Sequence, residues 1–119
     1  MKQVLWISRH RMTGPQRSDL ERILGGPFLL DQWDATVKDI EELRPAVERA
    51  DVVAAVLPLE LLSRLLPMAG SCPVIQSVSQ RVPTGDVRYL ENGDTEREYA
   101  FVHSCWQRLL RVDIEVARL

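Results

Sequence analysis

The opening of the chain is the feature that most constrains its fold. Residues 2–8 form a run rich in Val, Leu, Trp and Ile, which is typical of a buried strand. Thr13 is followed three residues later by Gln16, with Pro15 between them, and this pattern predicts the capped start of a helix. The chain therefore begins strand, loop, helix, which is the unit from which parallel α/β sheets are built.

The loop between this strand and this helix is basic. Arg9, His10 and Arg11 follow directly where the strand is expected to end. A helix that begins at this place directs unpaired backbone N–H groups and the positive end of its dipole toward the carboxyl edge of the sheet. We therefore expect an anion site here, for a phosphate or a carboxylate.

Helices and strands continue to alternate through the first two thirds of the chain. Helical spacing of apolar residues predicts helices over 16–24, 36–50 and 59–69, and apolar runs predict strands over 27–33, 51–57 and 73–78. Pro45 is expected to kink the second helix or to split it. The third helix is apolar on nearly all sides, so it should lie deep in the fold or pack against another subunit.

The pattern changes after Arg81. A turn is expected at 83–85, followed by a hairpin whose short strands, 87–90 and 96–103, flank the turn signal Asn92-Gly93. The final stretch, 108–119, alternates apolar and charged residues and favours a half-exposed strand, although its apolar residues also fit a helix. Together these elements predict one α/β domain over 1–119, with a Rossmann-like, mostly parallel sheet flanked by helices and a C-terminal antiparallel hairpin.

Composition narrows the class of protein. The chain is 45% hydrophobic and 27% charged, it has no apolar run of bilayer length, and no signal-peptide cleavage site follows Met1, so we expect a cytoplasmic protein without membrane association. A net charge of −2 argues against a protein that coats DNA or RNA. Cys72 and Cys105 lie 33 residues apart, and no second Cys or His stands at ligand spacing beside Cys72, so neither a zinc site nor a disulfide framework is expected.

Arginine usage leaves two interpretations open. Only Lys2 and Lys38 among the 15 basic residues are lysine, which leaves 13 arginines. The guanidinium fork suits bidentate contacts with phosphate, but genome composition or a warm habitat would also explain the bias.

Three loops should meet at the carboxyl edge of the sheet, at 8–13, 57–60 and 77–81. Two of them carry side chains that can grip a phosphate or supply neutral hydrogen bonds: Arg9, Arg11, Arg81, Ser8, Thr13, Ser79 and Gln80. Capping of the first helix alone would account for Thr13, and surface arginines are often simply solvated.

The two histidines receive different predictions. His10 lies between arginines, which disfavour a further positive charge, so its neutral imidazole could act as a general base. His103 ends an apolar strand and is interpreted as a buried, hydrogen-bonded core residue.

Trp33 and Trp106 could stack on a nucleobase, with core packing as the alternative. The chain has neither the nucleophile elbow of a Ser-His-Asp hydrolase nor a Walker or Gly-x-Gly-x-x-Gly loop.

Three short motifs appear in a defined order along the chain. The first is a hydrophobic strand followed by Ser8-Arg9-His10 and then Met12-Thr13-x-x-Gln16-x-x-Asp19. The second is a strand, 74–78, feeding a turn at Ser79-Gln80-Arg81, and the third is a closing Phe101-x-His103-x-x-Trp106. In these motifs the chain resembles the Rossmann-like ring nucleases and cyclic-oligoadenylate binders of type III CRISPR systems, and the second motif is also similar to viral anti-CRISPR ring nucleases.

The resemblance implies a homodimer in antiviral defence, with two facing crevices that hold one cyclic tetra-adenylate across a two-fold axis. It implies cleavage without a metal or another cofactor, by attack of a ribose 2′-hydroxyl on the adjacent phosphate. His10 would be the base, Arg9 and Arg81 would stabilise the charge on phosphorus, and Ser8, Arg11, Thr13, Ser79 and Gln80 would bind the ligand.

Two alternatives to a ring nuclease remain open. The chain could bind the cyclic oligoadenylate without cleaving it, as a sponge or a sensor. It could also be a subunit without a nucleotide site, whose apolar helix over 59–68 docks a partner protein.

Overall fold

The computed structural model describes all of residues 1–119 and has a five-stranded mixed sheet flanked by three helices. Along the chain the elements are β1 (Lys2–Ile7), α1 (Gly14–Leu24), β2 (Phe28–Trp33), α2 (Arg44–Arg49), β3 (Val52–Ala55), α3 (Leu59–Ala69), β4 (Val74–Tyr89) and β5 (Thr95–Arg108). The strands lie in the order β2-β1-β3-β4-β5, all neighbours being parallel except β4 and β5. The predicted α/β fold with a C-terminal antiparallel hairpin is confirmed. None of the helices is long and apolar enough to span a bilayer.

Strand β1 lies inside the sheet, between β2 and β3, and its side chains are apolar on both faces. Val4 and Trp6 pack into a layer beneath α1, together with Leu20. Leu5 and Ile7 face the opposite layer, which α2 and α3 cover. All four side chains of 4–7 are buried, as expected for a parallel strand that is covered on both faces.

Helix α1 begins as the sequence predicts. The Thr13 hydroxyl accepts a hydrogen bond from the Gln16 backbone N–H at 3.2 Å, and the Gln16 side-chain oxygen accepts one from the Thr13 N–H at 2.9 Å. This capping box pairs two backbone donors that a helix start would otherwise leave free. The helix ends at Gly25, whose φ of 81° is the left-handed conformation that glycine adopts at little cost.

The helix expected over 36–50 is shorter than predicted and is split. A 3₁₀ turn occupies Ile40–Leu43, and α2 follows with Pro45 in its first turn. The Asp39 carboxylate accepts a hydrogen bond from the Glu41 N–H at 3.0 Å, which caps the 3₁₀ turn and explains why the helix does not begin at 36. The predicted split at Pro45 is confirmed.

The hairpin is longer and more continuous than predicted. The expected turn at 83–85 is a register shift within the single strand β4, and β5 continues past 103 to Arg108. Because β5 pairs on both sides of this shift, the backbone absorbs the Pro-Thr-Gly segment as a bulge and does not reverse. The predicted turn at Asn92-Gly93 is confirmed, with Gly93 at a φ of 85°.

The strand expected over 108–119 is wrong beyond Arg108. Residues 109–119 adopt neither strand nor helix. Leu109 and Val112 pack against the core layer of α2 and α3, whereas Val116 and Leu119 are exposed. Because Leu109 and Val112 pack into this layer, the tail leaves the sheet where β5 ends and pairs with none of its strands.

Residues 79–102 comprise the outer parts of β4 and β5 and the turn that joins them, and we call this segment the β-arm. Strand β3 pairs with β4 only at Val74 and Ile75, so within the sheet the β-arm has no neighbour except its own second strand. Tyr89 and Phe101 on the β-arm are more than three-quarters exposed. The radius of gyration is 17.4 Å, whereas a compact domain of this length has about 13.5 Å, so the chain is more extended than a compact domain, as expected of a β-arm that pairs only with itself.

Candidate functional site

A cavity of about 280 Å³ lies beyond the carboxyl ends of β1 and β3. Strand β2 lies on one side of β1 and β3 lies on the other, so the connections that follow β1 and β2 run in opposite directions along the sheet. In open α/β sheets this topological switch point is where ligands bind. The strand order therefore places the cavity where a ligand site is expected. We call it the switch-point cavity.

Ser8, Arg9 and His10 form one wall of the switch-point cavity. The loop they occupy is held by its carbonyl groups: the Gln32 side-chain amide donates to Ser8 O at 2.9 Å and to His10 O at 3.0 Å. The Trp6 indole N–H also donates to His10 O, at 2.8 Å. The Ser8 hydroxyl accepts a hydrogen bond from the His10 N–H at 3.1 Å. The backbone of this loop is thus fixed by neighbours in β1 and β2.

The opposite wall combines apolar side chains with the start of α3. Val37 and Leu61 line it, and the Arg9 guanidinium reaches across to donate to the Thr36 hydroxyl. Pro58 occupies the N-cap of α3 and supplies no side-chain cap. The first backbone N–H groups of α3 therefore have no intrahelical or side-chain partner at the edge of the cavity. An anion there would meet Arg9 and the positive end of a helix dipole, and an apolar group would meet Val37 and Leu61.

The remaining predicted site residues lie elsewhere in the chain. Arg11 is exposed and does not line the switch-point cavity, and the Thr13 hydroxyl is engaged in the cap of α1. Ser79, Gln80 and Arg81 pair within the β4–β5 ladder at the root of the β-arm, so the turn expected there is wrong.

Arg81 lines a different cavity, of about 350 Å³, on the β-arm. Its guanidinium carbon lies 3.7 Å from the centre of the Tyr99 ring, a cation–π contact. Within the chain, Arg9 and His10 therefore share a cavity that Arg81 does not line.

On the α1 side of the sheet the fold assembles a chain of polar side chains that the sequence did not predict. The Gln16 side-chain N–H donates to the Ser77 hydroxyl at 3.3 Å, and Ser77 Oγ lies 2.6 Å from His103 Nδ1. His103 Nε2 lies 2.9 Å from a carboxylate oxygen of Asp19. We call Gln16, Ser77, His103 and Asp19 the polar relay.

The groups at the two ends of the polar relay, Gln16 and Asp19, fix the direction of each hydrogen bond within it. Gln16 uses its side-chain oxygen in the cap of α1, so its amide nitrogen is the atom that faces Ser77. The Asp19 carboxylate can only accept, so His103 Nε2 carries a proton and Nδ1 is free to accept the Ser77 O–H. The hydrogen bond from His103 and then that from Arg22 lower the pKa of Asp19 below its usual value, which favours the carboxylate.

Trp106 shields the imidazole of the polar relay. Its ring centre lies 5.4 Å from that of His103, and its indole N–H donates to Gln16 O at 3.0 Å. The His103 side chain is only 4% exposed, which confirms the prediction of a buried, hydrogen-bonded histidine. Trp106 also meets the edge of Trp6, with ring centres 6.0 Å apart, so this tryptophan joins the relay to the core.

The polar relay draws on each of the three motifs found in the sequence. The first motif supplies Gln16 and Asp19, the second contains Ser77 in its strand, and the third supplies His103 and Trp106. Gln16 and Asp19 are three residues apart on a helix, so the sequence could have shown that they share a face. The pairing of Ser77 with His103 depends on a register shift between Val78 and Ser79 that no sequence pattern indicates.

No group of three or more His, Cys, Asp or Glu side chains is placed to hold a metal ion. Comparisons of the chain with protein-family profiles, with curated proteins and with solved structures found no match.

Proposed function

We propose that the switch-point cavity binds a cyclic oligoadenylate, with cyclic tetra-adenylate favoured, and that the chain degrades this messenger and so switches off type III CRISPR signalling. The observation that carries the proposal is the presence of Arg9 and His10 together in one cavity at the switch point of the sheet. Arg9 offers a bidentate fork for a phosphate, and the α3 amides offer further donors. Val37 and Leu61 offer an apolar surface for a base.

The size of the cavity supports a site shared between two copies of the chain. Its volume of about 280 Å³ lies just below the range of about 300–1,000 Å³ that is usual for small-molecule sites. It suits one nucleotide unit of a cyclic tetranucleotide, so the proposal includes a homodimer that presents two cavities to one ring. Arg11, Ser79, Gln80 and Arg81 do not line the cavity of their own protomer, and in this proposal they contact the ring only in the dimer.

The proposed reaction requires a base and charge stabilisation. His10 takes the proton of a ribose 2′-hydroxyl, whose oxygen bonds to the adjacent phosphorus as the bond from phosphorus to the 5′-oxygen breaks. The departing 5′-oxygen takes a proton from water or from the imidazolium, and the product ends in a 2′,3′-cyclic phosphate. Arg9 stabilises the negative charge that develops on the phosphorus oxygens.

Radiolabelled cyclic tetra-adenylate, incubated with the chain in EDTA, tests this proposal. We expect linear products with 2′,3′-cyclic phosphate ends. We expect His10→Ala to retain binding and to cleave about 100-fold more slowly or worse, and Arg9→Ala to lose binding. Arg118→Ala removes an exposed arginine in the tail and serves as the matched control.

Each other outcome of this assay contradicts part of the proposal. Binding of intact ligand without products would overturn cleavage and indicate a sponge or sensor. Absence of binding, together with a melting temperature that no cyclic oligonucleotide changes, would overturn the nucleotide site altogether and favour a partner-docking subunit.

A further inference from the structure

We infer that the polar relay makes Ser77 a nucleophile, and that this second site performs acyl transfer on a carboxylic ester. The inference does not rest on the nucleotide site, because Ser77, His103 and Asp19 lie outside the switch-point cavity. It rests on three side chains in hydrogen-bonded sequence: hydroxyl, imidazole and carboxylate.

The distances meet the requirement for an activated hydroxyl. A nucleophile and its base must lie within about 2.6–3.2 Å, with the base oriented by a third group. Ser77 and His103 are 2.6 Å apart, and His103 and Asp19 are 2.9 Å apart. Here Nδ1 faces the hydroxyl and Nε2 faces the carboxylate. Either ring nitrogen can act as the base, because the hydrogen bond to the carboxylate decides which one carries the proton.

Gln16 adds a donor beside the nucleophile. Its amide orientation is set by the capping box with Thr13, and one N–H reaches Ser77 Oγ at 3.3 Å. A primary amide carries two N–H donors on one nitrogen, so a second donor is available next to the atom that would form the new bond. Side-chain amides of this kind stabilise the oxyanion in acyl transfer.

Ser77 is more exposed to solvent than His103, as nucleophilic catalysis requires of a nucleophile and its base. Ser77 is partly exposed, whereas the His103 side chain is 4% exposed beneath Trp106. A substrate or a single water molecule can therefore approach the hydroxyl while most of the imidazole stays shielded from bulk solvent. Low local dielectric strengthens the interaction between the imidazolium that forms and the Asp19 carboxylate.

The proposed reaction is hydrolysis of the ester through an acyl-serine, and water is its only co-reactant. Ser77 Oγ bonds to the ester carbonyl carbon, His103 Nδ1 takes the hydroxyl proton, and the bond from that carbon to the alkoxy oxygen breaks as the imidazolium returns the proton to the leaving alcohol. Water then attacks the acyl-serine with His103 again as base, which releases the carboxylic acid and restores the Ser77 hydroxyl.

A fluorophosphonate probe on the wild-type chain tests the inference, with the adduct located by peptide mass spectrometry. We expect Ser77 to be labelled about tenfold faster or more than Ser104, which is exposed on β5 and has no partner in the polar relay. Ser104→Ala is the matched control and should label Ser77 at the wild-type rate. Asp19→Asn should slow labelling of Ser77 by about tenfold or more, because it removes the charge that supports the imidazolium.

Hydrolysis of p-nitrophenyl acetate provides a second measurement. We expect an initial burst of close to one nitrophenolate per chain, and no burst from Ser77→Ala. If Ser77→Ala fails to fold, the location of the adduct on the wild-type chain still decides the question. A folded wild-type chain with no adduct at Ser77, or with Ser77 and Ser104 labelled at equal rates, would overturn the inference and leave the relay as a purely structural link. Neither result bears on cyclic oligoadenylate binding, so the two proposals fail separately.

Discussion

The imidazole of His103 and the carboxylate of Asp19 are joined by a 2.9 Å hydrogen bond, although 84 positions of chain separate them. The bond links α1 to β5 at the root of the β-arm. Because the imidazole also contacts Ser77 and Trp106, one side chain ties the first helix to both strands of the hairpin. Losing this contact should therefore affect folding stability as well as any chemistry at Ser77.

The pH dependence of stability should report on the carboxylate of Asp19. Its pKa is lowered by the hydrogen bonds from His103 and Arg22. A group with a lowered folded-state pKa adds stability above its ordinary pKa, and loses that contribution as the pH falls through the folded-state value. We expect the wild-type free energy of unfolding to fall below about pH 5, and Asp19→Asn to show a smaller fall. Urea unfolding followed by tryptophan fluorescence at pH 7, 5, 4 and 3 measures both.

The control for this experiment is Asp34→Asn, because Asp34 is exposed and makes no ion pair. It should retain the pH dependence of the wild type. The same fall in stability for Asp19→Asn and for the wild type would contradict the prediction.

Removal of the cap of α1 should be measurable on its own. Thr13→Ala deletes the hydroxyl that accepts from the Gln16 backbone N–H. We expect the free energy of unfolding to drop by about 1 kcal/mol, as measured by urea denaturation. Ser71→Ala, an exposed change in a loop, should stay within about 0.5 kcal/mol of the wild type. Equal stability of the two variants would show that the cap contributes nothing.

Helix α3 offers a test of which of its leucines are buried. Leu65 is fully buried, whereas Leu59 on the same helix is 63% exposed. We expect Leu65→Ala to cost about 2–5 kcal/mol, and Leu59→Ala to stay within about 0.5 kcal/mol of the wild type. Chemical denaturation at low protein concentration measures both. A large cost at Leu59 would mean that another chain covers this end of the helix.

The two free cysteines should react at different rates in the folded chain. Cys105 is exposed, whereas Cys72 is partly buried, and burial followed by the nearby charge of Asp51 raises the pKa of the Cys72 thiol. A raised pKa leaves less of the reactive thiolate at pH 8. With an aromatic disulfide reagent we expect a fast phase from Cys105 and a slow phase from Cys72. Cys105→Ser should abolish the fast phase alone, and a single shared rate in the wild type would contradict this assignment.

The first half of the fold is predictable because local signals and global packing agree there. The apolar run at 2–8 and the Thr13–Gln16 cap both appear in the structure where the sequence places them. Alternation of strands and helices also implies the parallel pairing that is found. The second half is less predictable, because a strand needs a partner edge as well as a pattern. Residues 109–119 have the pattern of a strand but pair with no strand edge, because Leu109 and Val112 pack against the core layer of α2 and α3. The Pro-Thr-Gly segment at 83–85 has a turn signal that a paired strand absorbs.

The candidate sites show the same limit. The grouping of Arg9 and His10 follows from their being neighbours at the end of a strand, and the sequence predicts it. Arg81 lies in a separate cavity because β4 continues to Tyr89, far beyond its pairing with β3, and only the structure reveals this. Likewise, Ser77 meets His103 because of a register shift in the β4–β5 ladder, and ladder irregularities leave no mark in hydrophobic periodicity.

The hairpin topology also bears on how the chain acquires its fold. Strand β5 pairs only with β4, its neighbour in sequence, so this hairpin can form by successive pairing outward from the turn at Asn92-Gly93. Strand β1 must instead find β3, and the hydrogen bond from Gln3 to Asp51 at the start of that pairing closes a loop of 48 positions. Closing so long a loop costs entropy before any contact compensates for it. The assembly of β1 against β3 should therefore set the folding rate, with the hairpin already formed when the central strands meet.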